Sequence, residues 1–101
     1  MANLVKTYNA EISGDCRNAT DVWHRFLGVV NALPGVAVLQ TARHDFPGGG
    51  FSGVVIIGES HAAIHTWPER AAAWVELATC GDPQALEVFA RMTADLLVER
   101  P

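Results

Sequence analysis

The sequence predicts an α+β fold: a two-layer sandwich in which an antiparallel sheet carries two helices on one face, in the order βαβββα, with two such layers packing into an αββα dimer. Three observations carry this expectation. The β-type runs in the middle of the chain are separated by breaks of hairpin length, which makes neighbouring strands antiparallel. Two stretches, one early and one at the end, repeat apolar residues at helical spacing. Half of the 101 residues are apolar and only 18% are charged. With both helices on one face, much apolar sheet surface is left uncovered, so a homodimer is expected.

Residues 3–12, NLVKTYNAEI, read as a first strand, with Leu4, Lys6, Tyr8 and Ala10 on one face and Val5, Thr7, Asn9 and Glu11 on the other. The turn SGDCRN follows, and Asn18 is a suitable N-cap with Asp21 three positions on. Val22, Trp23, Phe26, Leu27, Val30 and Leu33 then mark a helix that ends at Pro34-Gly35. VAVLQTARH, residues 36–44, is the second strand, and DFPGGG a loop that its glycines make flexible or closely approached. FSGVVIIG is an apolar, β-branched third strand. AAAWVELATC reads as a further strand by its neighbours, although its alanines would suit a helix. Asp82 as N-cap and Pro83 in the first turn open the final helix, marked by Leu86, Phe89, Met92 and Leu96, with Glu87 and Arg91 four apart on its outer face. No repeat, linker or low-complexity segment divides the chain, so residues 1–101 are expected to be one domain.

A net charge of −4 and the lack of any basic cluster argue against a nucleic-acid partner. The N-terminal stretch has no apolar leader core and no run is long enough to span a membrane, so no membrane partner is expected. Two cysteines, Cys16 and Cys80, without CxxC spacing, point to a reduced cytoplasm. The single lysine, Lys6, makes lysine-bound cofactor chemistry improbable.

The polar density of the chain is concentrated in GESHAAIHTWPE, residues 58–69. If this stretch were helical, His61 and His65 would share a face four apart, a usable metal pair. Extended, they lie about 13 Å apart at the strand rise, too far for one ion to bridge. Ile64, Thr66 and Trp67 favour a strand, Pro68 ends a short element, and no HExxH pattern is present, so no metal is expected. His65, Trp67 and Glu69 then alternate onto one face. Ser60 has the opposite parity and is expected in a strained turn after Gly58.

SGVVIIGESHAAIHTWPE, followed by ATCG, resembles the pyruvoyl-dependent S-adenosylmethionine decarboxylases of prokaryotes, whose pattern is close to SGVxxxxESHxxIHTWPE and then FTCG. The resemblance covers about residues 46 to 81, with Ser52 eight positions before Ser60 and Cys80 twenty after it. The chain departs from the pattern at Ala78, where phenylalanine is preferred, in a loosely matching first strand, and in stopping near Pro101 without the usual last strand.

Decarboxylating an α-amino acid needs an electron sink attached to the amine, usually a carbonyl. The resemblance implies that the chain makes this carbonyl itself. The Ser60 hydroxyl attacks the Glu59 carbonyl, the amide becomes an ester, and elimination leaves residues 1–59 and residues 60–101, the latter beginning with a pyruvoyl group made from Ser60. It further implies His65 as base for the self-cleavage, Ser52 as a hydroxyl supporting the tetrahedral intermediate, and Cys80 as proton donor to the substrate carbon. An ordinary thiol, with a pKa of roughly 8.5, is able to donate near neutrality. Phe46 and Trp67 would flank an adenine and Glu69 would hold ribose hydroxyls. The implied activity is decarboxylation of S-adenosylmethionine to the aminopropyl donor of spermidine and polyamine biosynthesis. A pyruvoyl arginine or ornithine decarboxylase remains an alternative, as does a non-catalytic partner that activates a paralogue. Taken singly, Cys80 reads as inert core, His65 as a hydrogen-bonded strand residue and Trp67 as core, and Ser52 carries no signal; the joint spacing distinguishes them. Trp23 and Trp74 read as core or interface, His24 and His44 as surface, and Cys16 as structural.

Overall fold

In the computed structural model, which describes residues 4–98, five strands form one antiparallel sheet and two helices cover one of its faces. The elements are β1 (Lys6–Ser13), α1 (Ala19–Asn31), β2 (Gln40–Asp45), β3 (Phe51–Ile57), β4 (Ser60–Trp67), a 3₁₀ turn (Pro68–Arg70), β5 (Ala72–Thr79) and α2 (Gln84–Ala94). The fold class is the expected one, with one strand more than βαβββα counts, because Ser60–Trp67 is a full strand of its own. The sheet order is β1-β5-β4-β3-β2. β4 is therefore the central strand, and the stretch with the densest polar content runs through the middle of the sheet.

Alternation decides the two faces. Val55, Ile57, Ala62, Ile64, Ala73, Val75 and Leu77 point to the helices and are buried. Phe26 of α1 and Phe89 of α2 meet over them edge to face, 6.0 Å between centroids. Asn18 caps α1 as expected, its side chain accepting from the Asp21 N–H at 3.1 Å. Trp23 is core, and it explains Gly53: a Cβ there would sit 2.2 Å from the indole Cζ3. The helix can lie on β3 only because that residue has no side chain.

Several boundaries differ from the sequence reading. Residues 36–39 precede β2 outside regular structure, and of these Leu39 donates a backbone bond to Ile56 O. α2 buries Ala85, Phe89 and Thr93, an i, i+4, i+8 stripe, while Met92 is exposed. Asp82 still serves the start of α2, its carboxylate accepting from the Gln84 N–H at 2.9 Å, but the residue flanking the helix is Pro83. Asn3 of the expected first strand lies outside the described residues.

No helix or loop among the described residues covers the other face of the sheet. Registers align Ser52, His65, Trp74 and Glu11 in one row across it, then Val54, Ala63, Glu76 and Asn9, then Ile56, His61, Ala78 and Thr7. Val54 and Ile56 are 38% and 41% exposed there. Among the described residues no helix is long and apolar enough to cross a membrane.

Candidate active site

The candidate residues gather at the two ends of β4. At its C-terminal end, β4 carries His65 and Trp67 onto the bare face, and the Pro68–Arg70 turn brings Glu69 beside them. The β2–β3 loop reaches the same end. It turns through Gly48 and Gly49, at φ 96° and 97°, a conformation side chains rarely adopt. It is then pressed against β4 at Gly50, where a Cβ would lie 2.8 Å from Thr66 O. Phe51 N–H donates to Thr66 Oγ1 at 3.0 Å and fixes the approach. Phe46 is thereby held near Trp67, and the two line a cleft of ≈ 310 Å³ with Ser52, His65 and Glu69. The two residues are 49% and 45% exposed, so the pair forms the open walls of a slot rather than part of the core. That volume is at the low end for a small-molecule pocket, and the slot is open on the bare side. Ser52 and His65 are direct cross-strand partners, which places Ser52 Oγ 2.7 Å from His65 Nδ1. The bond occupies Nδ1 and leaves Nε2 as the nitrogen available for proton transfer.

At the other end, β3 and β4 are joined by a two-residue turn, Gly58-Glu59, with Ile57 paired to Ser60. Gly58 has φ 68° and Glu59 does not have positive φ, the pattern of a type II′ hairpin. Ser60 is thus the first residue of β4 rather than part of the turn. The expected strain is also missing there, since glycine accommodates the one left-handed position. Ser60 Oγ donates to Thr79 Oγ1 at 3.0 Å, and Gly81 N–H donates to the same oxygen at 3.0 Å. The exposed Cys80 thiol lies 3.5 Å from Glu59 Oε2 and 3.9 Å from Glu59 O. A cleft of ≈ 270 Å³ opens here, lined by Glu59, Ser60, Thr79 and Cys80 among others.

The structure therefore groups Ser52, His65, Phe46, Trp67 and Glu69, and separately Glu59, Ser60 and Cys80. It does not bring Ser60 and His65 together within one chain. They are five residues apart, about 16 Å at the strand rise, and their side chains leave opposite faces of the sheet. Parity, which already set Ser60 apart, is the physical reason. Thr79 is a site neighbour that sequence reasoning missed. The available signal was its place directly before Cys80 in a strand whose alternation turns it to the same face as Ser60. Among the described residues no group of three or more His, Cys, Asp or Glu side chains could hold a metal. His61 instead lies 3.5 Å from Glu76 on the neighbouring strand.

A family model described as S-adenosylmethionine decarboxylase matches residues 13–100. A protein of Clostridium kluyveri called S-adenosylmethionine decarboxylase proenzyme is 56% identical over 79 residues, 78% of this chain and 61% of that protein. One of the same name from Carboxydothermus hydrogenoformans is 54% identical over 48 residues, 48% of this chain and 38% of that protein. The chain thus spans less than two thirds of the length of either relative. In structure it is similar to the adenosylmethionine decarboxylase of Aquifex aeolicus, with a TM-score of 0.82 and 27% identity over 96% of this chain and 82% of that one. With the family pattern matched over β2 to β5 and both helices, this chain belongs to the S-adenosylmethionine decarboxylase family.

Proposed function

We propose that the chain is a proenzyme that breaks itself between Glu59 and Ser60 and then decarboxylates S-adenosylmethionine. The observation that carries the substrate choice is the slot at the Trp67 end. Two aromatic side chains, Phe46 and Trp67, face a carboxylate, Glu69, beside the Ser52–His65 pair. A purine needs flat apolar walls, a ribose needs an acceptor for its hydroxyls, and a sulfonium gains about 0.5–2 kcal/mol over an aromatic face. Arginine or ornithine needs no such slot.

The residues at the other end fit a pyruvoyl group made from the chain. Ser60 follows the exposed Glu59 at the end of a hairpin turn, and attack of its hydroxyl on the Glu59 carbonyl carbon closes a five-membered ring. A break at that tip leaves both products held in the sheet, because β4 stays paired to β3 and β5 to β1. The group supplies the carbonyl that takes up electrons as CO₂ leaves. Cys80, exposed and hydrogen-bonded to Glu59, is the proton donor that returns hydrogen to the substrate carbon.

Because one chain separates Ser60 from His65, the working unit is a homodimer. Two bare faces packed with their central strands antiparallel about a two-fold axis set the Ser60 end of one protomer over the Trp67 end of its partner. Glu59, Cys80 and His61 reach toward that interface by parity, as do Ser52, His65 and Trp67. Each protomer would then contribute one half of each of two sites, with the partner's His65 serving proton transfer at the Glu59–Ser60 bond.

Measured release of CO₂ from the carboxyl group of S-adenosylmethionine, arginine and ornithine tests the reading. Release from S-adenosylmethionine alone is expected. Release from arginine or ornithine instead would assign Glu69 to a guanidinium or ammonium group. Release from none of the three would favour a non-catalytic partner.

A further inference from the structure

The three buried polar side chains among the described residues are Thr66, Thr79 and Thr93. Thr66 serves backbone, accepting from Phe51 N–H, and Thr93 donates to Phe89 O one turn back in its own helix. Thr79 differs. Its hydroxyl oxygen takes the hydroxyl of Ser60, nineteen residues away on the neighbouring strand. Thr79 is itself immobilised. It is 7% exposed, it is β-branched and so restricted at χ1, and Gly81 N–H holds the same oxygen from the other side. Its strand, β5, is paired on both sides, to β1 and β4. A serine at the end of a hairpin strand otherwise has three staggered positions for Oγ, and only some of them face its own N-terminal carbonyl.

We propose that Thr79 is a positioning residue for the chain break, its hydroxyl holding Ser60 Oγ in the orientation from which it attacks the Glu59 carbonyl. This rests on the self-processing reading above. In that step the bond from Ser60 Oγ to the Glu59 carbonyl carbon forms, and the bond from that carbon to the Ser60 nitrogen breaks. The hydroxyl proton ends on that nitrogen, and no further reactant is needed. Thr79 Oγ1, accepting the Ser60 proton in a hydrogen bond, leaves the lone pairs of Ser60 Oγ for the carbonyl. In this step Thr79 acts through Ser60 and touches neither of the bonds that change.

Cell-free synthesis of the full chain, sampled over time by mass, reads the rate of cleavage directly. Thr79→Val keeps the shape and removes the hydroxyl, and is expected to slow cleavage by about tenfold or more. Thr79→Ser restores the hydroxyl and is expected to recover most of the rate. Hydroxylamine, which cuts esters, should not speed Thr79→Val, because the arrest precedes the ester. Where Thr79→Val gives no folded protein by circular dichroism, Thr79→Ala is read in its place, with the same expectations. Cleavage of the hydroxyl-free variant at the wild-type rate would overturn the proposal. So would a Thr79→Ser chain as slow as Thr79→Val, which would make the methyl group and packing responsible. Rapid cutting of Thr79→Val by hydroxylamine would also overturn it, by placing Thr79 after the ester. An uncut wild-type chain would instead remove the self-processing reading beneath it.

Discussion

Cys16 and Cys80 are the same residue type in opposite circumstances. Cys16 is buried with its thiol aimed at Ala72 O, 3.5 Å away, and burial pushes that thiol up from its ordinary range. Cys80 is exposed at the sheet end. Iodoacetamide on the native protein near neutral pH should therefore label Cys80 and leave Cys16, giving one adduct per protomer by peptide mapping. Equal labelling of both would contradict the burial argument. Cys80→Ala should still undergo the chain break but lose turnover, or give transaminated product through protonation of the wrong atom; full decarboxylase activity in that variant would remove Cys80 as donor. At this scale the candidate site was largely legible, because side-chain parity on a strand is a two-state property. His65 and Trp67 were assigned to one side and Ser60 to the other on that basis alone, while Glu69, expected from the same alternation, reaches the cleft from the Pro68–Arg70 turn after the strand has ended. The Ser52–His65 bond was not legible, since it depends on a register that only the hairpin fixes. Thr79 was missed for a similar reason: its place before Cys80 puts it on the face of Ser60, but only the register of the two strands makes the two hydroxyls partners.

Gly53 shows how a helix and a strand are matched. The Trp23 indole occupies the space a Cβ would need, with Cζ3, Cε3 and Cη2 at 2.2, 2.8 and 2.9 Å. Gly53→Ala must push α1 off the sheet or turn the indole, and should cost about 1–3 kcal/mol in urea unfolding. Gly28→Ala, with nothing within 4 Å of the new Cβ and a helical position, should be neutral or slightly stabilising. A Gly53→Ala protein as stable as wild type would show that the tryptophan does not depend on this contact. The glycine beside Ser52 in the SGV stretch thus has a packing reason as well as a place in the family pattern. Strand and helix types were readable from alternation and caps, because each element satisfies its own local rules. The one helix face misread, at Met92, followed from extending the apolar stripe past Ala94 through Leu96, which lies beyond the helix. The strand missing from the βαβββα order is Ser60–Trp67: Ile64, Thr66 and Trp67 favour a strand there, and His61 and His65 lie on its bare face.

The bare face sets the behaviour of the whole molecule. Val54, Ile56 and Trp67 are substantially exposed on it, beside partly covered Ala63 and Trp74, and the two halves of the candidate site lie at its two ends. Light scattering at micromolar concentration should report a dimer. Chains carrying His65→Ala, uncut by themselves, should be cut when co-assembled with Ser60→Ala chains, which cannot be cut but bring an intact His65. If the His65→Ala chain stays whole in such mixed dimers, His65 does not act across the interface. The fold class was readable at this scale because hairpin connections leave few topologies, whereas the division of the site between two ends of one strand needed coordinates. The central claim, that this chain makes its own catalytic carbonyl, is tested most directly by the intact mass of the purified wild-type protein. Two species are expected, one ending at Glu59 and one beginning at position 60 with an N-terminus that resists Edman degradation and reacts with a carbonyl reagent, while Ser60→Ala remains one chain. A single full-length mass for the wild type after prolonged incubation would contradict it.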